Sequence, residues 1–359
     1  MAPVIRALEN EPNRFESIVC STGQHREMLS QMTSLFNLRC DVELDVMRPD
    51  QTLSSLTARL IDEIDRTILR INPDWLLAQG DTTTVLAAAI ASFYRRVPFA
   101  HVEAGLRTHN LAQPFPEEFN RITADSTASL LFAPTARSAA NLIAEGKSQH
   151  SVRVTGNTVI DSLHFVAQLP YSWEDGPLRA ISRARRIVLV TAHRRESFGE
   201  AFRDICTGIA ELARQFPEVQ FVYPVHLNPH VQTPVNALLG NLPNVALLPP
   251  LDYVSLVNLL KQSFMVLTDS GGIQEEAPGM RVPVLVMRET TERPEGVDAG
   301  VVRLVGTTVK NIVDNGAQLL TDGTAHSLMA NGANPYGDGK ASQRIIQALA
   351  SWPADEAES

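Results

Sequence analysis

The chain has 359 residues, enough for two ordinary domains with sizeable cores. Hydrophobic residues make up 44% and charged residues 20%, a globular composition, and a net charge of −9 argues against a general nucleic-acid or anionic-membrane binder. Cys20, Cys40 and Cys206 show no paired spacing, so neither a disulfide framework nor a zinc site is indicated. No apolar run reaches the roughly 18 residues of a membrane span, and no signal peptide opens the chain, so a soluble cytoplasmic protein is expected.

Short apolar runs then alternate with amphipathic stretches. Strands are expected at SIVCST (17–22), WLLAQG (75–80), PFAHVEAG (98–105), LLFAPT (130–135) and VRVTGN (152–157). A second series follows at IVLVTAH (187–193), VQFVYPVH (219–226), VALLPPL (245–251), MVLTDSGG (265–272), PVLVMRE (283–289) and VVRLVG (301–306). Helical patterns between them include TVLAAAIASFYRR (84–96), AFRDICTGIAELARQF (201–216) and TVKNIVDNGAQLL (308–320). Such alternation predicts parallel sheets covered by helices on both faces. The series breaks in LPYSWEDGPLRAISRARR (169–186), rich in charge with Pro and Gly. Two Rossmann-like domains are therefore expected, 1–168 and 169–339, with the last helical pattern, KASQRIIQALASW (340–352), crossing back to the first.

Ligands of open α/β sheets bind beyond the carboxyl ends of the strands, and the polar residues there are unusually rich. Asp81 ends WLLAQG; a helix N-cap role explains it equally well. Glu103 sits at an apolar strand end, where an unpaired carboxylate is costly. Glu117 and Glu118 open a helix after PFP, with Arg107 and Arg121 near enough in sequence to pair with these acids. In the second half His193, Arg194 and Arg195 follow a strand directly, suited to neutralising a diphosphate. A solvated loop would account for the arginines and explains less well why His193 sits at the strand tip. Ser270, Gly271 and Gly272 open a helix whose free N–H groups suit an anion, and Glu276 follows one turn later, where it can accept from ribose hydroxyls. A plain strand-to-helix turn explains that stretch as well when taken alone. Arg288 and Arg293 add cations near the same edge, although a salt-bridge cluster suits them nearly as well. Carboxylates in one domain and anion-binding groups in the other, meeting across a cleft, suit chemistry on a nucleoside diphosphate sugar. The residues alone leave the reaction open, with a glycosyltransferase of the same two-domain type and a pure nucleotide-binding protein as the other readings.

GDTTTVLAAAIA, HVEAGLRT, PFPEEFNR, TGNTVIDSL, TAHRRESFG, YPVHLNP, LTDSGGIQEEAP and VMRETTERPE occur in this order. Together they closely resemble the bacterial non-hydrolysing UDP-N-acetylglucosamine 2-epimerases over nearly the whole chain. The resemblance implies the GT-B fold, two Rossmann-like domains facing a cleft, and a homodimer. It implies interconversion of UDP-GlcNAc and UDP-ManNAc by elimination of UDP to 2-acetamidoglucal and re-addition, without NAD or a required metal, supplying ManNAc for surface polysaccharides. Matched motif to motif, Asp81, Glu103 and Glu117 fall on the family's catalytic carboxylates and His193 on its functional histidine. Ser270, Gly271, Gly272, Glu276 and Arg293 fall on UDP-binding positions beside Arg194, and Leu251 and Leu256 on the uracil-side segment. Gln24, His25 and Arg26 match residues beside a second, activating UDP-GlcNAc; a helix start with exposed polar residues is the plainer reading. The family opens with an apolar strand and a turn ahead of a Met-Ala-Pro, whereas this chain starts at Met1-Ala2-Pro3. An open slot in the first sheet beside SIVCST is therefore expected.

Overall fold

The computed structural model describes residues 1–23 and 26–352, with no side chains for residues 26–29. The chain forms two compact units, Met1–Ser162 with the segment from Gly337 onward, and Leu163–Tyr336. The first unit runs α1 (Ala2–Glu9), β1 (Cys20–Ser21), α2 (Arg26–Phe36), β2 (Val42–Glu43), α3 (Leu53–Ile71), β3 (Leu76–Gln79), α4 (Thr83–Arg95), β4 (Phe99–Val102), α5 (Glu117–Thr127), β5 (Leu130–Ala133), α6 (Ala136–Ala144), β6 (Val152–Val154) and α7 (Thr158–Ala167), which carries the chain onward. The second holds β7 (Ile187–Thr191), α8 (Glu200–Gln215), β8 (Gln220–Pro224), α9 (Pro229–Leu239), β9 (Val245–Leu248), α10 (Tyr253–Gln262), β10 (Ser263–Thr268), α11 (Gly271–Gly279), β11 (Val284–Val286), α12 (Pro294–Asp298), β12 (Val302–Leu304), α13 (Val309–Thr321) and α14 (Gly323–Ala330). The last helix, α15 (Ala341–Ser351), belongs to the first unit. Every expected strand has a counterpart, and β2 is additional. Among the described residues no helix is long and apolar enough to cross a membrane.

The second unit carries one parallel sheet in the order β12-β11-β10-β7-β8-β9. Its inner strands read as near-continuous apolar runs because helices cover both faces: Ile187 to Val190 are all buried. Phe202, Ile205, Ile209 and Leu212 recur at helical spacing on α8 and seal one face of that core. Gly316 lets α13 lie close to α8, since a Cβ there would stand 2.6 Å from Leu212 Cδ1.

The first unit is less regular. Its main sheet is β3-β4-β5-β6, all parallel, while β1 and β2 form a separate parallel pair. Strands β4 and β5 are fully buried but β3 is only half-buried, as an edge strand is. The N–H groups of Leu76 and Gly80 bond toward β4, so the alternate Leu77 and Gln79 turn their backbone groups the other way. On β1, Val19 and Ser21 accept from β2, which leaves Cys20 turned away. Between these two edges lies a cavity of about 460 Å³, lined by Ile18 and Cys20 on one side and by Trp75 and Leu77 on the other. Pairing on one side only also explains why the expected strand 17–22 shrinks to Cys20–Ser21. Helices α1 and α15 cover the outer face of β4 and β5, with Val4, Ile345 and Leu349 packed on Val102 and Phe132.

Candidate active site

The strand order of the second unit reverses between β7 and β10, since β8 and β9 lie to one side of β7 and β10 to β12 to the other. Chains leaving β7 and β10 therefore depart in different directions and open a crevice at their carboxyl ends. His193 and Arg194 follow β7, and Ser270, Gly271 and Gly272 follow β10, so topology brings two of the predicted clusters together. Asp269 ties them: it is fully buried, and its Oδ2 accepts from the backbone N–H of His193 at 2.7 Å and of Arg194 at 2.8 Å. Its Oδ1 has no hydrogen-bond partner among the described residues and stands 4.0 Å from His193 Nδ1. The His193 ring is half-exposed and stacks on His226, centroids 5.2 Å apart.

Ser270 is the N-cap of α11 without a side-chain cap bond, which leaves the first N–H groups of that helix unfilled by it. A Cβ at Gly272 would meet nothing within 4 Å, whereas one at Gly271 would stand 3.0 Å from Glu292 Oε1 and 3.5 Å from Arg194 Nη2. The helix thus starts against open space on one side and the Glu292–Arg194 ion pair on the other. The cations here are not bare. Arg194 pairs with Glu292 at 2.9 Å, and Arg288 pairs with both Glu292 at 2.8 Å and Glu196 at 2.9 Å. Burial works against the Glu292 carboxylate, but its own backbone N–H and the two arginines hold its pKa at about 2. Arg293 is bonded through Nε to the carboxylate of Glu275. One turn into α11, Glu276 is buried and accepts from the Tyr253 hydroxyl at 2.8 Å. Burial pushes its pKa up to about 7; the Tyr253 bond opposes this and the Glu275 charge adds to it. Leu251 lies just before Asp252, the N-cap of α10, and the N–H of Leu256 is already engaged with the Asp252 carbonyl.

In the first unit Asp81 follows β3 directly after Gly80. The N-cap of α4 is Thr82, not Asp81. The Asp81 carboxylate is free to pair with Arg121 at 2.6 Å, and Asn120 Nδ2 donates to its carbonyl at 2.8 Å. Glu103 ends β4 earlier than its apolar pattern predicts, because its φ is +68°, a left-handed backbone rare for a glutamate. Its Oε2 accepts from the neutral amide of Gln79 at 3.1 Å. Glu117 begins α5, half-buried and without a side-chain bond among the described residues. Neighbouring Glu118 is fully buried and accepts from the N–H groups of Thr108 and His109 at 2.9 and 2.8 Å, so it fastens the preceding loop. Arg107 pairs with Asp125 and Glu145, both at 2.7 Å, rather than with the candidate acids.

Gln24 and His25 lie outside the described residues, as does the side chain of Arg26. Sequence reasoning missed Gln79, Tyr253 and Asp269. Asp269 stood inside LTDSGG, but only the paired strands show that its carboxylate reaches the neighbouring loop.

The UDP-N-acetylglucosamine 2-epimerase family model matches residues 6–350. The UDP-N-acetylglucosamine 2-epimerase of Yersinia pestis is 50% identical over 357 residues, covering 97% of this chain and 94% of that protein. The Escherichia coli K12 protein of the same name is 47% identical over 355 residues, with coverage of 97% and 94%. The crystal structure of UDP-GlcNAc 2-epimerase from Neisseria meningitidis bound to UDP-GlcNAc matches with a TM-score of 0.86 at 44% identity, over 97% of this chain and 95% of that one. The fold is accordingly of the GT-B type, built from two Rossmann-like units. With its strand-end carboxylates, its switch-point crevice and these likenesses over nearly its full length, the chain belongs to the UDP-N-acetylglucosamine 2-epimerase family and is an isomerase.

Proposed function

We infer that the chain interconverts UDP-GlcNAc and UDP-ManNAc by eliminating UDP across C1–C2 of the sugar and adding it back. The C2 proton is not beside a carbonyl, so direct enolisation is unavailable. A carboxylate takes that proton while the C1–O bond breaks and its electrons leave with UDP, giving 2-acetamidoglucal. UDP oxygen then re-forms the bond to C1 as C2 receives a proton on the opposite face. The observation that best supports this reading is Glu103, aimed by a neutral amide from a left-handed backbone position, with Asp81 at the end of the adjacent strand. Glu103 is held by an amide hydrogen bond and Asp81 by Arg121, and a positioned carboxylate at the sugar is what general acid–base catalysis requires.

The second unit's part is to hold departing UDP. The α11 N-terminus with Ser270, Gly271 and Gly272 takes the diphosphate, assisted by Arg194, His193 and Arg293. Glu276 takes the ribose and the Leu251–Leu256 segment the uracil. Asp81, Glu103 and Glu117 share base and acid duties on the sugar. In the same reading the enzyme works as a cytoplasmic homodimer and supplies ManNAc units for surface polysaccharides.

Incubation with UDP-GlcNAc in deuterated water tests the chemistry. Deuterium at C2 of both epimers is expected, and Glu103→Gln or Glu117→Gln should slow its entry by about 10²–10⁴-fold while UDP binding persists. Transfer to an acceptor without C2 exchange would favour a glycosyltransferase. Stoichiometric release of free ManNAc would favour a hydrolysing epimerase.

A further inference from the structure

His101 opens the HVEAG stretch and has no exposed surface. Its Nδ1 is 2.6 Å from Asp125 Oδ1 on α5, and its Nε2 is 2.7 Å from the carbonyl oxygen of Gly80. A carbonyl can only accept, so Nε2 carries a proton. Asp125 is 1% exposed, and its second oxygen accepts from the Gly105 N–H at 3.1 Å and meets the Arg107 guanidinium at 2.7 Å. With those two donors on it Asp125 is held as a carboxylate, so Nδ1 carries a proton as well, and the ring is a buried imidazolium. The titration tendencies agree with the geometry. Burial works against both charges, yet the His101–Asp125 bond and mutual attraction raise the His101 pKa and lower that of Asp125.

The backbone atoms in this network flank the proposed catalytic acids. Gly80 immediately precedes Asp81, and Gly105 lies two residues after Glu103. The Glu103 φ of +68° is a left-handed conformation unfavourable for a glutamate, and it persists only where its surroundings over-determine it. Gly105 closes the same turn against α6, so tightly that a Cβ would come 2.3 Å from the Ser138 carbonyl oxygen. One buried carboxylate on α5 therefore anchors the turn after β4 directly, through Gly105, and the turn after β3 indirectly, through His101.

We propose that His101 and Asp125 are positioning residues, an ion pair that clamps the ends of β3 and β4 so that Asp81 and Glu103 are presented to the sugar in fixed geometry. The clamp rests on the reading that these two acids act on the sugar. The charged groups that face the ring are Asp125 from α5, Glu103 just past the end of β4 and Arg107 beyond Asp125. Neither clamp residue touches substrate in this assignment. Their loss therefore falls on turnover rather than on UDP.

The test uses the full chain carrying His101→Gln or Asp125→Asn. Misplacing catalytic groups by about 1 Å can cost about 10²-fold, so kcat is expected to fall by about that factor. KM for UDP-GlcNAc and the calorimetric Kd for UDP should change less than about threefold. Asp125→Glu, which keeps the charge, should recover part of kcat. Ring nitrogen resonances of His101 should report two protonated nitrogens at pH 8 in the unmodified protein, and a neutral ring once Asp125→Asn removes the counter-charge. Unchanged kcat in either variant, or a neutral His101 ring at pH 8 in the unmodified protein, would overturn the proposal. If His101→Gln does not fold, the isosteric Asp125→Asn decides alone by the same split of kcat against UDP binding. The ring resonances and UDP binding need no turnover. Absence of C2 exchange in the unmodified protein would therefore count against the epimerase reading and not against the clamp.

Discussion

Glu276 enters the native state with its carboxyl pKa raised from 4.5 to about 7, chiefly by burial. A group whose folded pKa is raised stabilises the fold below its unfolded value and gives that up as pH climbs through the folded one. Between about pH 4.5 and 7, then, the unliganded protein loses stability through Glu276, by at most about 3.5 kcal/mol at about 1.4 kcal/mol per unit. Glu276→Gln keeps an acceptor for the Tyr253 hydroxyl and removes the charge. It should raise Tm at pH 8, leave it unchanged at pH 4, and weaken UDP binding at pH 8 if a ribose hydroxyl donates to the carboxylate. UDP affinity of the parent should in turn rise between pH 6 and 8, where the carboxylate forms. Calorimetric titrations and thermal melts between about pH 4 and 8 check these outcomes. The acidic run GGIQEE marked Glu276 as a candidate, but nothing in it distinguished a solvated helix residue from a buried one. That distinction came from Tyr253, which the fold brings in from α10.

At the scale of elements, the start of α15 is capped by a residue far away in sequence. Asp161, on α7, accepts from the N–H groups of Ala341 and Ser342 at 3.1 and 2.8 Å and from the Ser342 hydroxyl at 2.6 Å. Lys340, the local N-cap, makes no side-chain cap bond, so Asp161 does its work from another helix. Asp161→Ala would strand these buried donors at about 1–3 kcal/mol each. Tm is expected to fall by several degrees, and hydrogen exchange should speed up across residues 341–351 before the rest of the unit. Asp161→Asn, which keeps an acceptor, should lose less. The amphipathic spacing of KASQRIIQALASW made this helix legible in the sequence. Its cap was not, because nothing in TGNTVIDSL marks its aspartate as the partner of a helix so far along the chain.

At the scale of the whole molecule, the two units differ in how completely their sheets are knit. The second has six strands in one sheet, while the first divides its strands between a pair and a four-stranded sheet with the 460 Å³ cavity between them. Cys20 on one edge and Leu77 on the other line that cavity. Met1 stands at one end of it, with its amino group 2.5 Å from Gln79 Oε1 at the carboxyl end of β3. An extended apolar segment of about five residues placed between the two edges is expected to pair with both of them. Each apolar side chain it buries contributes about 1.5–3 kcal/mol. Tm should rise by several degrees and the epimerase rate should increase, whereas a Lys- and Glu-rich segment of equal length should do neither. Equal melting temperatures for the two extensions would show that the cavity does not accept a strand.

The alternation of apolar runs determined by itself that the fold is α/β with parallel sheets, and it located nearly every strand. Burial on both faces writes a continuous apolar run into each strand, and this survives in one dimension. The polar residues at strand ends were legible for the same reason: Asp81, Glu103, His193 and Ser270 interrupt apolar patterns where a sheet opens. What each of them touches was decided only by tertiary structure. Strand order placed β7 beside β10 across a long stretch of chain and so joined His193 to Asp269. Packing of α5 against β4 made His101 a buried ion-pair partner, although in sequence it is one polar residue within an apolar strand. Contacts between residues distant in the chain depend on crossovers and helix packing, and local periodicity carries no record of either.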